Sequence, residues 1–183
     1  MHTHQQEFCL RVRELHPRFF SNVTVVDFGA LDINGTNRDL FGDCVYTGVD
    51  LGPGKGVDVV SRAHEFRPEG LVDVVISTEM LEHDEYWKDS LVNMVNVLRP
   101  GGLLITTCAT IGRGEHGTQR SSPTDSPYTP DYYMNLTKED FTGVLDLDKQ
   151  FSAYVFEVDG RSCDLYFWGL KRELGVSDAL QAA

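Results

Sequence analysis

The chain has 183 residues, of which 41% are hydrophobic and 24% are charged, a composition typical of a single soluble globular domain. Its 28 acidic and 16 basic residues give a formal net charge of −12, which disfavours the broad positive surface needed to bind a nucleic-acid backbone. No apolar run reaches the length of a signal-peptide core or a membrane span, so we expect a cytoplasmic protein without a membrane partner.

The first part of the chain predicts a helix, a strand and a second helix. Apolar residues recur at helical spacing over 5–16, a segment that ends before a proline. The apolar run at 23–28 then predicts a strand. The polar segment NGTNRDLF, which follows, predicts the beginning of a helix with Asn34 or Thr36 as its N-cap.

The middle of the chain alternates between strands and a helix. Apolar runs at 44–50, 57–60, 72–78 and 103–109 predict four further strands. Between the last two, apolar residues recur along one helical face that begins at Trp87 and ends before the sequence RPGG. Short apolar strands that alternate with helices predict an α/β fold, with a parallel sheet covered on both faces.

The last part of the chain begins with a polar stretch at 111–136. A connection of this length favours a functional loop or a disordered one. The sequence TKEDF then predicts a short capped helix. The runs FSAYVFEV and CDLYFWGL flank DGRS and predict an antiparallel hairpin, and the terminal SDALQAA predicts a loose tail.

The cysteines are predicted to be free thiols. They lie far apart in sequence and include no C-x-x-C pair, which argues against a structural zinc site. Three of them lie in or beside apolar runs, as buried thiols of a reducing compartment do. The four are Cys9, Cys44, Cys108 and Cys163. The sequence predicts no metal site.

Small and polar residues follow the predicted strands, at the sheet edge where open α/β sheets bind ligands. Gly29 would let the backbone approach a ligand closely. Asp50, which lies 21 residues further on, carries a carboxylate that can accept hydrogen bonds from both hydroxyls of a ribose. The candidate cofactor residues are Asp27, Gly29, Ala30, Asp50, Leu51, Ala63, His64, Ser77, Thr78 and Glu79.

The ordered set of motifs over 23–109 resembles the class I S-adenosylmethionine-dependent methyltransferases, and in particular their type 11 domains. The motifs are VVDFGALDING, YTGVDLGPGKGVDVVSRAHEF, VDVVISTEMLEHDEYW and VNVLRPGGLLITT. The resemblance implies S-adenosylmethionine as cofactor and a Rossmann-like three-layer sandwich. Its sheet would have seven mostly parallel strands and an antiparallel C-terminal hairpin. Gly29 and Ala30 would line the methionine part of the cofactor, Asp50 the ribose and His64 the adenine.

Two positions depart from the pattern of that family. The common G-x-G is here Gly29-Ala30-Leu31, and Arg62 replaces an acid that often precedes the Ala-His pair. A dinucleotide fingerprint would require glycines at Leu31 and Asn34, so the sequence disfavours a nicotinamide cofactor.

Methyl transfer requires alignment and, for some acceptors, removal of a proton. The candidate bases are His83 and His116, although His83 is equally well explained as a packed or capping residue. Glu82 either attracts the cationic cofactor or is simply exposed to solvent. In the polar stretch, amphipathic or proton-accepting side chains are candidates for substrate binding, namely Tyr128, Asp131, Tyr132 and Tyr133.

We interpret 1–183 as a single methyltransferase domain that acts on a small or medium polar acceptor, such as a sugar or metabolite oxygen. Its parts would be an N-terminal helix (1–22), a cofactor-binding core (23–110), a substrate loop (111–136), and a C-terminal helix and hairpin (137–183). The alternatives are a nicotinamide-dependent oxidoreductase and a non-catalytic S-adenosylmethionine-binding module. The sequence predicts no particular oligomeric state.

Overall fold

A computed structural model describes residues 3–129 and 131–173, and the predicted tail SDALQAA lies outside them. These residues form seven strands and four α-helices. In chain order the elements are α1 (Thr3–Leu15), β1 (Thr24–Phe28), β2 (Val45–Asp50), β3 (Val59–Val60), β4 (Val72–Thr78), α2 (Trp87–Val97), β5 (Leu98–Ala109), α3 (Lys138–Val144), α4 (Leu147–Gln150), β6 (Phe151–Asp159) and β7 (Asp164–Lys171).

The strands form one sheet in the order β3-β2-β1-β4-β5-β7-β6. The strands from β3 to β5 are parallel, and β7 runs antiparallel between β5 and β6. The seven-stranded, mostly parallel sheet and its C-terminal hairpin are therefore confirmed. The direction of the chain across the sheet reverses between β1 and β4, the position at which open α/β sheets bind their ligands.

The two faces of the sheet are buried by different helices, and the alternation of side chains along β4 shows the division. Val74 and Ile76 pack in the cluster that α1 completes with Phe8 and Val12. Val75 packs in the opposite cluster, which α2 and α3 complete. The predicted helical cover of both faces is thus present.

The helix predicted after the first strand is wrong. After β1 the chain forms a loop with one 3-10 turn, Arg38–Leu40, and neither proposed cap begins an α-helix. Two side chains bind nearby backbone amides instead: Gly35 donates to Asp32 at 2.8 Å and Arg38 donates to Thr36 at 3.1 Å. Such local bonds compete with helix formation.

All four cysteines lie within the described residues and are free thiols, as predicted, and Cys9 and Cys108 are fully buried. Among the described residues, no helix is both long enough and apolar enough to cross a membrane.

Candidate active site

A cavity of about 270 Å³ opens at the carboxyl ends of the parallel strands, beside the switch point. It brings together most of the residues predicted from the sequence. The predicted residues that line it are Asp27, Gly29, Ala30, Asp50, Leu51, Ala63, Thr78, Glu79, His83, His116 and Tyr128. Ser77 is fully buried and does not line it, and four others also lie outside its lining, namely His64, Asp131, Tyr132 and Tyr133.

Gly29 forms the wall of the cavity after β1 and has a backbone φ of +83°. An L-residue rarely adopts this conformation, and a Cβ atom here would lie 2.6 Å from the Cβ of Met80. The amides of Gly29 and Ala30 both donate to the carbonyl of Val49, at 2.9 and 3.2 Å. These bonds hold the loop close to β2 although Leu31 stands where the family pattern commonly has its second glycine.

Asp50 ends β2 and anchors the neighbouring loops. Its carboxylate accepts hydrogen bonds from the amides of Leu31, at 3.1 Å, and Gly52, at 3.4 Å. Burial raises the pKa of Asp50, and these backbone donors oppose that shift. The side chain reaches the cavity between two backbone segments, which is the position predicted for a ribose-binding acid.

Asp27 lies deeper and carries a polar network. The hydroxyl of Tyr46 donates to its carboxylate at 2.6 Å, and the amide of Asn37 lies 3.3 Å from the same group. Asn37 also donates to Thr78 at 2.9 Å, so the network joins β1, β2 and β4. Burial raises the pKa of Asp27 to about 7, although the bonds from Tyr46 and Asn37 lower it.

Glu79 follows β4 in a left-handed conformation, with φ of 55°. Its carboxylate accepts a hydrogen bond of 2.8 Å from the hydroxyl of Thr107 on β5. The bond fixes an acidic group in the lining of the cavity.

The end of the cavity near β3 is lined by Ser61, Arg62 and Ala63. The ring of His64 packs on Tyr86 instead, with centroids 4.6 Å apart. Arg62 lies over the same tyrosine ring at 5.2 Å. The side chains of Arg62 and His64 therefore both pack against the ring of Tyr86 at the edge of the cavity.

At the opposite end, the two predicted catalytic histidines meet. The rings of His83 and His116 are 5.0 Å apart and nearly perpendicular, and Tyr133 lies 5.5 Å from the first and 5.0 Å from the second. Burial, with His116 and Arg113 nearby, lowers the pKa of His83 to about 4. The ring of His83 is therefore neutral at physiological pH, a weak base that keeps its lone pair.

Glu82 is fully buried, which corrects the expectation of an exposed acid. It lies in the 3-10 turn Leu81–His83, and its carboxylate accepts a hydrogen bond of 3.2 Å from the amide of Ala109. Burial raises the pKa of Glu82 well above its usual range, and the charge of Glu79 adds to the effect.

The predicted substrate loop crosses the cleft. The ring of Tyr128 lies directly against Gly52, and its hydroxyl donates to the carbonyl of Pro53 at 2.8 Å. Tyr132 points elsewhere, with its hydroxyl 3.5 Å from the sulfur of Met134, and Asp131 is exposed. Of the four substrate candidates, only Tyr128 reaches the cavity itself.

Comparison with known proteins agrees with this geometry. Residues 11–106 match the family model described as "Methyltransferase domain", which is more than half of the chain. The chain belongs to the methyltransferase-domain family. The enzyme class and the S-adenosylmethionine cofactor predicted from the sequence are thereby confirmed. No sequence among the curated proteins compared with this methyltransferase matches it.

Several solved structures share the fold of this methyltransferase. The N-methyltransferase NodS from Bradyrhizobium japonicum WM9, in complex with S-adenosyl-L-homocysteine, aligns with a TM-score of 0.60 and 15% identity over 92% of this chain and 87% of that one. The 1,6-didemethyltoxoflavin-N1-methyltransferase of Burkholderia thailandensis aligns with a TM-score of 0.60 and 16% identity over 87% and 76%. The phosphoethanolamine N-methyltransferase 2 of Haemonchus contortus aligns with a TM-score of 0.60 and 15% identity over 90% and 52%.

Sequence reasoning missed several polar residues of the methyltransferase site. Asn37 and Tyr46 hold Asp27, and Arg113 lines the end of the cavity that contains the histidines. Asn37 was hidden in the segment predicted as a helix. The alternation of side chains along the second predicted strand could have indicated Tyr46, because Tyr46, Gly48 and Asp50 share one face. No sequence signal distinguished Arg113 from other basic loop residues.

Proposed function

We propose that this methyltransferase transfers the methyl group of S-adenosylmethionine to an oxygen atom of a small polar acceptor, and that 1–183 acts as one domain. The observation that supports the proposal best is the arrangement of the single cavity described above. The half-buried carboxylate of Asp50, which we propose for the ribose, lies toward one end of it, and the imidazoles of His83 and His116 lie at the other.

In this proposal the ribose hydroxyls donate to Asp50, the methionine part lies along Gly29 and Ala30, and the adenine lies beside Ala63. The carboxylate of Glu79 lies where it would stabilise the positive sulfonium. Leu51, Asp27 and Thr78 complete the wall, with Ser77 beneath it, and His64 supports the rim. These groups position the cofactor, and positioning is the main requirement of an in-line displacement.

The acceptor would occupy the end that contains His83 and His116. Its oxygen forms the new bond to the methyl carbon while the carbon–sulfur bond breaks, and S-adenosylhomocysteine leaves with the electron pair on sulfur. The acceptor hydroxyl must lose its proton, and the two imidazoles are the groups we propose to activate it. The loop 111–136 would cover the acceptor, with Tyr128 on the cleft and Asp131, Tyr132 and Tyr133 behind it.

Calorimetry tests the cofactor assignment. An Asp50→Ala change should weaken binding of S-adenosylmethionine by about 10- to 100-fold, because hydrogen bonds to a charged group are worth about 1.5–3 kcal/mol. Asp148→Ala removes an exposed acid far from the cavity and should leave the affinity unchanged. Equal affinities in both variants would refute the assignment of Asp50 to the ribose.

A screen of hydroxyl acceptors with methyl-labelled cofactor then separates an enzyme from a binding module. A module would bind the cofactor and transfer nothing to any acceptor, whereas an enzyme should lose transfer in His83→Ala and in His116→Ala while still binding the cofactor. An oligonucleotide belongs in the same screen, because the charge of −12 predicts that it is not an acceptor.

A further inference from the structure

We propose that Glu82, His83 and His116 together bind a divalent transition-metal cation of the zinc class at the acceptor end of the cavity. The sequence predicted no metal site. The three proposed ligands come from two loops, and His83 and His116 are 33 residues apart in sequence. No spacing motif could have revealed it.

The first observation is the geometry of the three side chains. One ligand atom of each lies within 4.8 Å of the other two. Around a tetrahedral zinc ion with bonds of about 2.0–2.1 Å, neighbouring ligand atoms are about 3.3 Å apart. The three ligand atoms are therefore within about 1.5 Å of the spacing that a tetrahedral zinc ion requires.

The second observation is that the cluster contains buried polar atoms without partners. Among the described residues, Oε2 of Glu82 and Nδ1 of His83 have no hydrogen-bond partner, and the same is true of the hydroxyl of Tyr133 beside them. A buried polar atom without a partner is costly, and each one requires an explanation. A cation between Glu82 and the histidines would remove much of this cost.

The third observation is the orientation of His116. Its Nδ1 lies 3.0 Å from the carbonyl oxygen of Gly114, which can only accept. The proton of the neutral ring is therefore on Nδ1, and the lone pair of Nε2 is available for a cation. Metal-binding histidines are commonly fixed by a bond of this kind to a backbone carbonyl.

The loop that carries His116 can approach His83 closely because residue 117 is glycine. Gly117 has φ of +68°, and a Cβ atom there would lie 2.6 Å from Cε1 of His83. Any other residue would push the loop, and His116 with it, away from the 3-10 turn. The sequence thus keeps the ligands from the two loops together.

The donor set indicates the class of cation. Two imidazoles and one carboxylate suit zinc and its first-row neighbours, whereas magnesium and calcium prefer oxygen ligands. The nearby cation Arg113 is offset by Asp164, whose carboxylate lies 3.4 Å from its guanidinium. Three protein ligands also leave at least one coordination position open, as catalytic zinc sites do.

His83 and His116 both line the cavity, so the open position would face the acceptor. If the proposed function is right, the acceptor hydroxyl binds there, loses its proton to water more readily, and attacks the methyl group as an alkoxide. The two histidines then activate the acceptor as ligands rather than as bases. The binding site itself does not depend on the transfer reaction.

Cobalt(II) tests the site directly, because low-coordinate Co²⁺ absorbs visible light. The metal-free 183-residue protein should bind one Co²⁺ per chain with the spectrum of nitrogen and oxygen ligands, and Zn²⁺ should displace it. His116→Gln should weaken Co²⁺ binding by about 100-fold or more, since even changes to groups that support a ligand cost about 10- to 100-fold. Glu82→Gln should act similarly, and its remaining oxygen can still accept from Ala109.

His4→Gln is the matched control and should bind Co²⁺ as the unchanged protein does. Calorimetry with S-adenosylmethionine on every variant verifies the fold and separates the two proposals, since a loss of cofactor binding alone would count only against the proposed function. The metal site is refuted if the unchanged protein binds no Co²⁺. It is also refuted if His116→Gln binds Co²⁺ as tightly as the unchanged protein, or if His4→Gln loses binding.

Discussion

At the scale of single residues, Asp27 is unusual because its carboxyl group is buried where a charge is costly. Tyr46 and Asn37 bind it, Arg38 lowers its pKa and the charge of Asp50 raises it, and burial outweighs the others. Its pKa rises from 3.8 to about 7, so the folded chain keeps a proton that the unfolded chain releases near pH 4. The contribution of Asp27 to the free energy of unfolding is therefore fully present below about pH 4, and it is lost as the pH rises through about 7.

The Asp27→Asn change should remove this dependence, because the amide stays neutral and can still accept from Tyr46. The free energy of unfolding of the variant should increase relative to the unchanged protein between about pH 4 and pH 7, by at most about 4 kcal/mol. Denaturant titrations at several pH values measure the difference. Asp39→Asn controls for the loss of one surface charge, and parallel curves for Asp27→Asn and the unchanged protein would contradict the argument.

At the scale of elements, the closing hairpin does more than extend the sheet. The ammonium group of Lys171, at the end of β7, donates to the carbonyls of Val95 at 2.7 Å and Leu98 at 2.6 Å. Val95 lies in the last turn of α2 and Leu98 is its C-cap, where the helix itself offers no donors to the backbone carbonyls. Burial lowers the pKa of Lys171, and the positive charge is well placed at a helix C-terminus.

A Lys171→Met change keeps the apolar stem and removes the donor. It should lower the free energy of unfolding by about 1–3 kcal/mol, because two partly buried carbonyls lose a charged partner. Lys149→Met removes an exposed lysine and should change stability by less than about 0.5 kcal/mol. Thermal and denaturant unfolding of the Lys171→Met and Lys149→Met variants provides the comparison. Equal losses of unfolding free energy in the two variants would show that the contact of Lys171 with α2 contributes little.

The elements differ in how well local sequence predicted them. The helix α3 was predictable because Thr137 and Asp140 form a capping box within four residues. The false helix after β1 arose because Asn34 and Thr36 are good caps in isolation, whereas Asp32 and Thr36 bind the backbone of the loop instead. The contact of Lys171 with α2 joins distant parts of the chain, and no local pattern encodes it.

At the scale of the whole molecule, many residues that line the cavity were predictable from the sequence, whereas the contacts among them were not. The residues proposed for the cofactor directly follow predicted strands, so the position of Asp50 at this edge of the sheet could be predicted from the end of β2 and the motifs around it. Glu82 was not predictable as a buried group, because its burial depends on β5 and the loop that covers it. For the same reason His83 and His116 were separate candidates in the sequence, and only the folded chain makes them neighbours.

The loop contact of Tyr128 with Gly52 and Pro53 has a kinetic consequence. The segment that contacts the proposed cofactor cleft through Tyr128 also carries His116 at the proposed acceptor end, so we expect the acceptor to bind only after the cofactor. S-adenosylhomocysteine should then leave last. Steady-state assays should show it competing with S-adenosylmethionine, while the methylated product inhibits noncompetitively; release of the two products in random order would show that the loop opens independently of turnover.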